Sequence, residues 1–124
     1  MAKKESSFQR GLIKEIKARF PGSIVLKNDP TYVQGIPDLL ILYEDRWAAL
    51  ECKRSSTATL RPNQEYYVRR MNNMSFASFI YPENKEEVLN GMEEALQPQR
   101  AACTYVPESV FVAERRRREV CRTG

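Results

Sequence analysis

Three ionisable residues stand where a sheet would bring them together: Asp38, Glu51 and Lys53. Asp38 heads the apolar run Leu39-Leu40-Ile41-Leu42-Tyr43, and Glu51 and Lys53 lie inside a second run that begins at Trp47. Apolar runs of this length, bounded by turn residues, read as buried strands. The polar break Glu44-Asp45 reads as a hairpin turn. With Tyr43 paired to Arg46, counting back along both strands places Asp38 opposite Glu51. Directly opposed residues share a face with Cβ atoms roughly 4.5–5.5 Å apart. Strand alternation adds Lys53 to that face and turns Cys52 away. Two carboxylates so placed repel each other, and burying charge is costly unless it is paired or bound to a metal. Lys53 offsets one charge and a divalent cation offsets the rest. Hard cations such as Mg²⁺ take oxygen ligands, one or two of them carboxylates, and keep several waters. Such an ion stabilises charge on a phosphodiester and activates a water. The same residues also admit a plain buried Glu51–Lys53 ion pair, with Asp38 as a loop residue.

Composition narrows the alternatives. The 124 residues contain no histidine, which excludes Ser-His-Asp and Cys-His catalysis and zinc sites that need imidazole. A hydrolase built from this chain must use carboxylates, lysine and metal. The formal net charge of +4 permits nucleic-acid binding, although part of the basic excess is the run Arg115-Arg116-Arg117-Arg118. Three cysteines, Cys52, Cys103 and Cys121, lack metal-type spacing, and an odd count with no signal peptide favours a reducing cytoplasm. No apolar run is long enough to span a membrane, and nothing calls for an organic cofactor.

Elements must position these residues. Residues 4–20 read as a helix with Phe8, Leu12, Ile16 and Phe20 every fourth position, joined by Ile13 and ended by Pro21-Gly22. Glu5 and Gln9 fall in the same apolar sector, where polar residues need a reason. Either Glu5 merely suits the helix dipole and Gln9 a frayed edge, or Glu5 reaches the metal site from below the sheet. Glu15 competes with it from the edge of the stripe. Ser23–Lys27 reads as the first strand and residues 28–35 as a loop. In that loop Gly35 is either a simple turn glycine or a close approach to a phosphate. Tyr32 either stacks on a base or sugar or packs on the surface. Trp47 reads as core. Arg54 and Arg61 flank a polar connection and either hold phosphates or are solvated.

Residues 62–73 read as a second helix with Pro62 at its first position and Leu60, Tyr67 and Met71 toward the core. Gln64 on this helix is placed to orient a water or a backbone phosphate near Lys53. Ser75–Tyr81 reads as the fourth strand. Asn84 and Glu87 form a capping box for a helix to about Leu96, with Val88, Leu89, Met92 and Leu96 on one face. The order is α-β-β-β-α-β-α: a three-strand meander, a crossover helix and a fourth strand parallel to a neighbour. This is a single mixed sheet flanked by helices, of α/β class bordering on α+β. Residues 97–124 are an extension that either docks through Tyr105, Val106, Val110, Phe111 and Val112, on the core or on a second subunit, with a helix within Pro107–Cys121 and four arginines able to grip phosphates, or frays.

The stretch from Gly35 to Gln64 resembles the PD-(D/E)XK nucleases, with Pro37-Asp38 as one half of the motif and Glu51-Cys52-Lys53 as the other. More narrowly it resembles the virus-type replication–repair nuclease (VRR-Nuc) branch, and within it the small stand-alone phage-type members. Gly35-Ile36-Pro37-Asp38 and Gln64 carry that likeness. It covers roughly residues 5–96, so the nuclease-like domain is residues 1–96 and the extension 97–124. The resemblance implies a restriction-endonuclease-like fold and a Mg²⁺- or Mn²⁺-dependent deoxyribonuclease. Asp38, Glu51, Glu5 and the Cys52 main-chain carbonyl would hold the metal. Asp38, Glu51, Lys53 and Gln64 would be the catalytic set, and Gly35, Tyr32, Arg54 and Arg61, read above from their own positions, the DNA contacts of such an enzyme. It implies products with 5′-phosphate and 3′-hydroxyl, a homodimer, and branched DNA such as a Holliday junction as substrate, in the host cytoplasm if the chain is phage-encoded. A non-catalytic nucleic-acid-binding module, a structural partner of a replication complex, a single-strand exonuclease or a restriction-type nuclease would share the same core.

Overall fold

The apolar runs on either side of Glu44-Asp45 form the hairpin on which the sheet is built. The computed structural model describes residues 2–97, with side chains from Ser6 onward. Strands β2 (Leu39–Tyr43) and β3 (Arg46–Cys52) pair antiparallel from Tyr43↔Arg46 to Leu39↔Leu50. Glu44 makes the reversal with φ 55°, in the left-handed region. The register is the one expected, and one further step along it sets Asp38 against Glu51.

The remaining elements complete a mixed four-stranded sheet of order β1-β2-β3-β4. Strand β1 (Ile24–Lys27) is antiparallel to β2. Strand β4 (Phe76–Ile80) is parallel to β3, so the connection between them must cross over one face. That crossover carries helix α2 (Gln64–Met74), while α1 (Ala2–Arg19) and α3 (Lys85–Ala95) open and close the described chain. The fold is α/β with element order α-β-β-β-α-β-α, as the sequence implies.

Alternation along β2 and β3 gives the sheet two different faces. Leu39, Ile41, Leu50, Cys52 and Ile80 point to one face and are fully buried under Leu12, Ile16 and Phe20 of α1 and Leu89 and Met92 of α3. The smaller layer on the other face joins Ala49 and Ala77 to Val68 of α2, with Trp47, Met71 and Phe79 packed around them. Glu51 and Lys53 belong to this second face. The α1–α3 layer is also tied at its surface by Lys85 to Glu15 (2.9 Å) and by Arg19 to Glu86 (3.2 Å). Glu15 is thereby engaged away from the sheet's charged residues.

Three local expectations are corrected. Pro62 is not the first residue of α2: the helix begins at Gln64, because Asn63 takes a left-handed conformation (φ 70°, ψ −6°). Leu60 is 45% exposed rather than core-facing, since it precedes that turn instead of continuing the helix face. Asn84 does not cap α3 through its side chain. Its Oδ1 accepts from the Tyr81 N–H at 2.8 Å and its Nδ2 donates to the Phe79 carbonyl at 3.2 Å, fixing the exit of β4. None of the described helices is long and apolar enough to cross a membrane. The expected docking segment 105–112, the basic run 115–118, and Cys103 and Cys121 lie outside the described residues.

Candidate active site

β3 delivers Glu51 and Lys53 to the α2 face at its C-terminal end, beside the N-terminal end of β2 where Asp38 stands. Glu51 is 3% exposed and Lys53 7%. Asp38 is tied to the opposite strand: its Oδ2 accepts from the Cys52 N–H at 3.0 Å. Lys53 N–H donates to the Ile80 carbonyl on β4 at 2.9 Å. In a planar trans peptide the N–H and the preceding C=O point in opposite directions. The Cys52 carbonyl therefore faces β2 and Asp38, while the Cys52 side chain lies in the core on the other face.

One amide joins the two buried ionised groups. Gln64 Nε2 donates to Glu51 Oε2 at 2.8 Å, and its Oε1 accepts from Lys53 Nζ at 2.7 Å. Lys53 Nζ also donates to the Thr59 carbonyl at 3.1 Å and stands 3.9 Å from Glu51 Oε2. An ammonium has three donors, so two are committed to Gln64 and Thr59, and the third serves Glu51 or a group in the cleft. Gln64 Oε1 takes a further bond from the Arg61 N–H at 2.7 Å, closing the turn that starts α2.

That turn was not legible to the rule that places proline at a helix start, yet its signal is present. Gln64 N–H donates to the Arg61 carbonyl (3.2 Å), and Asn63 has the dihedrals of the third residue of a type II turn. Proline at the second position and Asn or Gly at the third are the signature of that turn, and Pro62-Asn63 supplies both. A second loop is equally determined. Asn28 donates from Nδ2 to the Pro37 carbonyl (2.8 Å) and from its N–H to the Asp38 carbonyl (2.8 Å). Within that loop Asp29 Oδ1 accepts from the Thr31 hydroxyl (2.6 Å) and N–H (2.9 Å). These bonds hold the Asp29 carboxyl below its ordinary range. The loop keeps this charged cap above that lowered value and loses it only as pH falls through it.

Asp38, Glu51, Lys53 and Gln64 line one open cleft of about 730 Å³. Arg54 and Arg61, both exposed, also line it, as does Gly35. Gln9 lines it together with Ser6, which accounts for a polar residue on the apolar stripe of α1. The Glu5 side chain lies outside the described residues. Tyr32 is not brought into the cleft. It is 85% exposed and borders a separate hollow of about 260 Å³ with Asn28, Val33 and Ile36.

The donor set suits a hard divalent cation. Two carboxylates lie on one face and a main-chain oxygen is turned toward them, all oxygen and with room for water in the cleft. Among the described residues no three acidic or cysteine side chains cluster. Comparison with family models, curated proteins and solved structures yields no match to this chain.

Truncating the bridging amide tests its importance directly. Gln64→Ala leaves Lys53 Nζ and Glu51 Oε2 each short of a buried partner. It is expected to lower folding stability by about 1–3 kcal/mol, read by urea unfolding. A variant as stable as wild type would show that water replaces the amide at no cost.

Proposed function

We propose that the chain is a metal-dependent DNA endonuclease that hydrolyses phosphodiester bonds, with branched DNA and in particular the four-way junction as its substrate. The observation that carries the hydrolytic reading is the placing of Asp38, Glu51 and Lys53 on one face in an open cleft, with Gln64 linking Glu51 to Lys53. The junction preference, the homodimer and the choice of Mg²⁺ or Mn²⁺ rest on the VRR-Nuc resemblance. A two-fold dimer also suits a two-fold symmetric junction.

Asp38, Glu51 and the Cys52 carbonyl would hold the ion. When bound, it supplies charge stabilisation to the phosphodiester and lowers the pKa of a water. The chain's own groups do the rest. Arg54 and Arg61 in the cleft hold backbone phosphates and position the strand without reading its sequence. Lys53, fixed by Gln64 and Thr59, presents its ammonium to the attacking water or to the charge that develops on the phosphoryl oxygens. A pre-oriented donor in a water-poor site stabilises such charge most effectively. Gln64 keeps Glu51 and Lys53 at fixed separation while this happens.

The test is cleavage of a labelled four-way junction beside matched linear duplex and single strand, with Mg²⁺, Mn²⁺ or EDTA. The expected result is metal-dependent cutting, fastest on the junction and abolished by EDTA. Salt-sensitive binding without cutting under either metal would assign a binding module instead. Neither binding nor cutting would point to a structural partner.

A further inference from the structure

Gly35 and Asn63 lie 28 positions apart, yet they touch more closely than side chains allow. A Cβ built on Gly35 would stand 2.6 Å from Asn63 Cβ, 2.8 Å from its carbonyl carbon and 3.0 Å from its carbonyl oxygen. Gly35 has φ +92°, a conformation that L side chains rarely adopt. Asn63 is itself left-handed. Each residue therefore meets its own backbone demand, and the two meet at the point where the loop leading to Asp38 crosses the turn leading to Gln64.

We infer that this contact is a positioning element of the site: Gly35 seats the Pro62–Asn63 turn, and the seated turn holds the Gln64 amide across Glu51 and Lys53. The chain of contacts is continuous. Gly35 abuts Asn63, and Asn63 is the residue before Gln64. Gln64 Oε1 is fixed by the Arg61 N–H of the same turn and by Lys53 Nζ, and Nε2 by Glu51. On the other side Gly35 is three residues from Asp38, whose carbonyl is bound by the Asn28 N–H. The contact thus joins the Asp38 half of the cleft to the half formed by Glu51, Lys53 and Gln64. The closeness that suggests a backbone made bare for a phosphate is filled here by the protein's own turn. The geometric part stands whatever the chemistry of the site, and only its kinetic consequence rests on the proposed hydrolysis.

Gly35→Ala in the full chain is the test, with Gly35→Ala/Asn63→Gly as its partial rescue and Asn63→Ala as an independent perturbation. The added methyl of Gly35→Ala must push Asn63 aside. Asn63→Gly removes the nearest of the three clashing atoms while keeping the left-handed turn accessible. Asn63→Ala leaves the Gly35 side unchanged and weakens only the turn. The first readout is the Gln64 side-chain NH₂ resonance in ¹⁵N-labelled protein, assigned by its loss in Gln64→Ala. It is expected to shift and lose exchange protection in Gly35→Ala, to return toward the wild-type position in the double variant, and to shift partway in Asn63→Ala. The second readout is cleavage, where Gly35→Ala is expected to lower kcat about 30-fold with KM within twofold, and the double variant to recover part of that loss. An unmoved Gln64 resonance in folded Gly35→Ala would overturn the inference, as would a double variant no better than the single. If Gly35→Ala does not fold, an unmoved resonance in Asn63→Ala overturns it equally. Wild-type protein that cuts no DNA would defeat the hydrolytic reading and leave the resonance result to decide this one.

Discussion

Lys53→Ala is expected to reduce metal-dependent cleavage by about 10³-fold, the range in which a positioned proton-transfer group or a charge-stabilising donor acts. The structure gives the reason for so large an effect from one side chain. Lys53 is buried, its ammonium is held by Gln64 Oε1 and the Thr59 carbonyl, and it is the cation beside a carboxylate that is 3% exposed. The same deletion leaves Glu51 without that countercharge, and breaking a buried ion pair from one side costs roughly 3–5 kcal/mol. Two effects would then be confounded, and Lys53→Met serves as a partner variant: it loses the same charge and the same donors to Gln64 and Thr59 but keeps an apolar stem of similar volume, so it separates lost packing from lost charge. Circular dichroism and thermal unfolding identify which variant remains folded at the assay temperature, and cleavage is compared in that variant. If DNA binding is retained while kcat falls, the lysine acts in the chemical step. A folded variant within tenfold of wild type would remove Lys53 from the mechanism.

The second large effect is expected at Asp38, and it concerns the metal. Ligand binding to the native state alone raises stability by RT ln(1 + [L]/Kd), about 2.7 kcal/mol at a hundredfold excess over Kd. For a chain of this size that corresponds to a rise of about 10 °C in the unfolding midpoint. Wild-type protein should show that rise in Mn²⁺ or Mg²⁺. Asp38→Asn should abolish both the rise and the cleavage while keeping its metal-free midpoint. The amide oxygen of Asn can still accept the Cys52 N–H bond that Asp38 Oδ2 accepts at 3.0 Å. The substitution therefore removes a charge from the face it shares with Glu51 without removing the link between strands. A variant whose midpoint still climbs with metal would place the ion elsewhere.

Much of this architecture is written in short-range patterns. Two apolar runs and a two-residue break suffice to set Tyr43 against Arg46, and strand alternation then carries Asp38, Glu51 and Lys53 onto one face. The stripe Leu12, Ile16 and Phe20 and the stripe Val88, Leu89 and Met92 are likewise visible as helical periods, and all six residues are buried. What the sequence conceals lies where two local rules compete. Pro62 satisfies the rule for a helix start and also the rule for a type II turn. The turn is the one taken, closed by the hydrogen bonds between Arg61 and Gln64 and abutted by Gly35, which is remote in sequence. Asn84 is a good helix cap and equally a good partner for the exit of β4, and the tertiary partners Tyr81 and Phe79 take it. Gln9 is conspicuous on its stripe, but its place on the cleft wall depends on the tertiary packing of α1. Tyr32 and Leu60 show the limit of reading side-chain type alone, because both are large and both remain in solvent.

The position of β1 has a consequence for how the protein behaves when concentrated. Among the described residues this four-residue strand is one margin of the sheet, and α2 lies over β3 and β4 rather than over it. Ile24 and Leu26, which pair with Leu42 and Leu40, therefore stay 55% and 43% exposed. A bare strand margin bearing aliphatic side chains is a template for pairing with another chain. Its brevity and the exposed Lys27 at its end are the features that oppose such pairing. Pairing of this margin with another chain is thus opposed by one charge and by a strand of four residues rather than six, and that charge stands one residue before Asn28, whose N–H binds the Asp38 carbonyl.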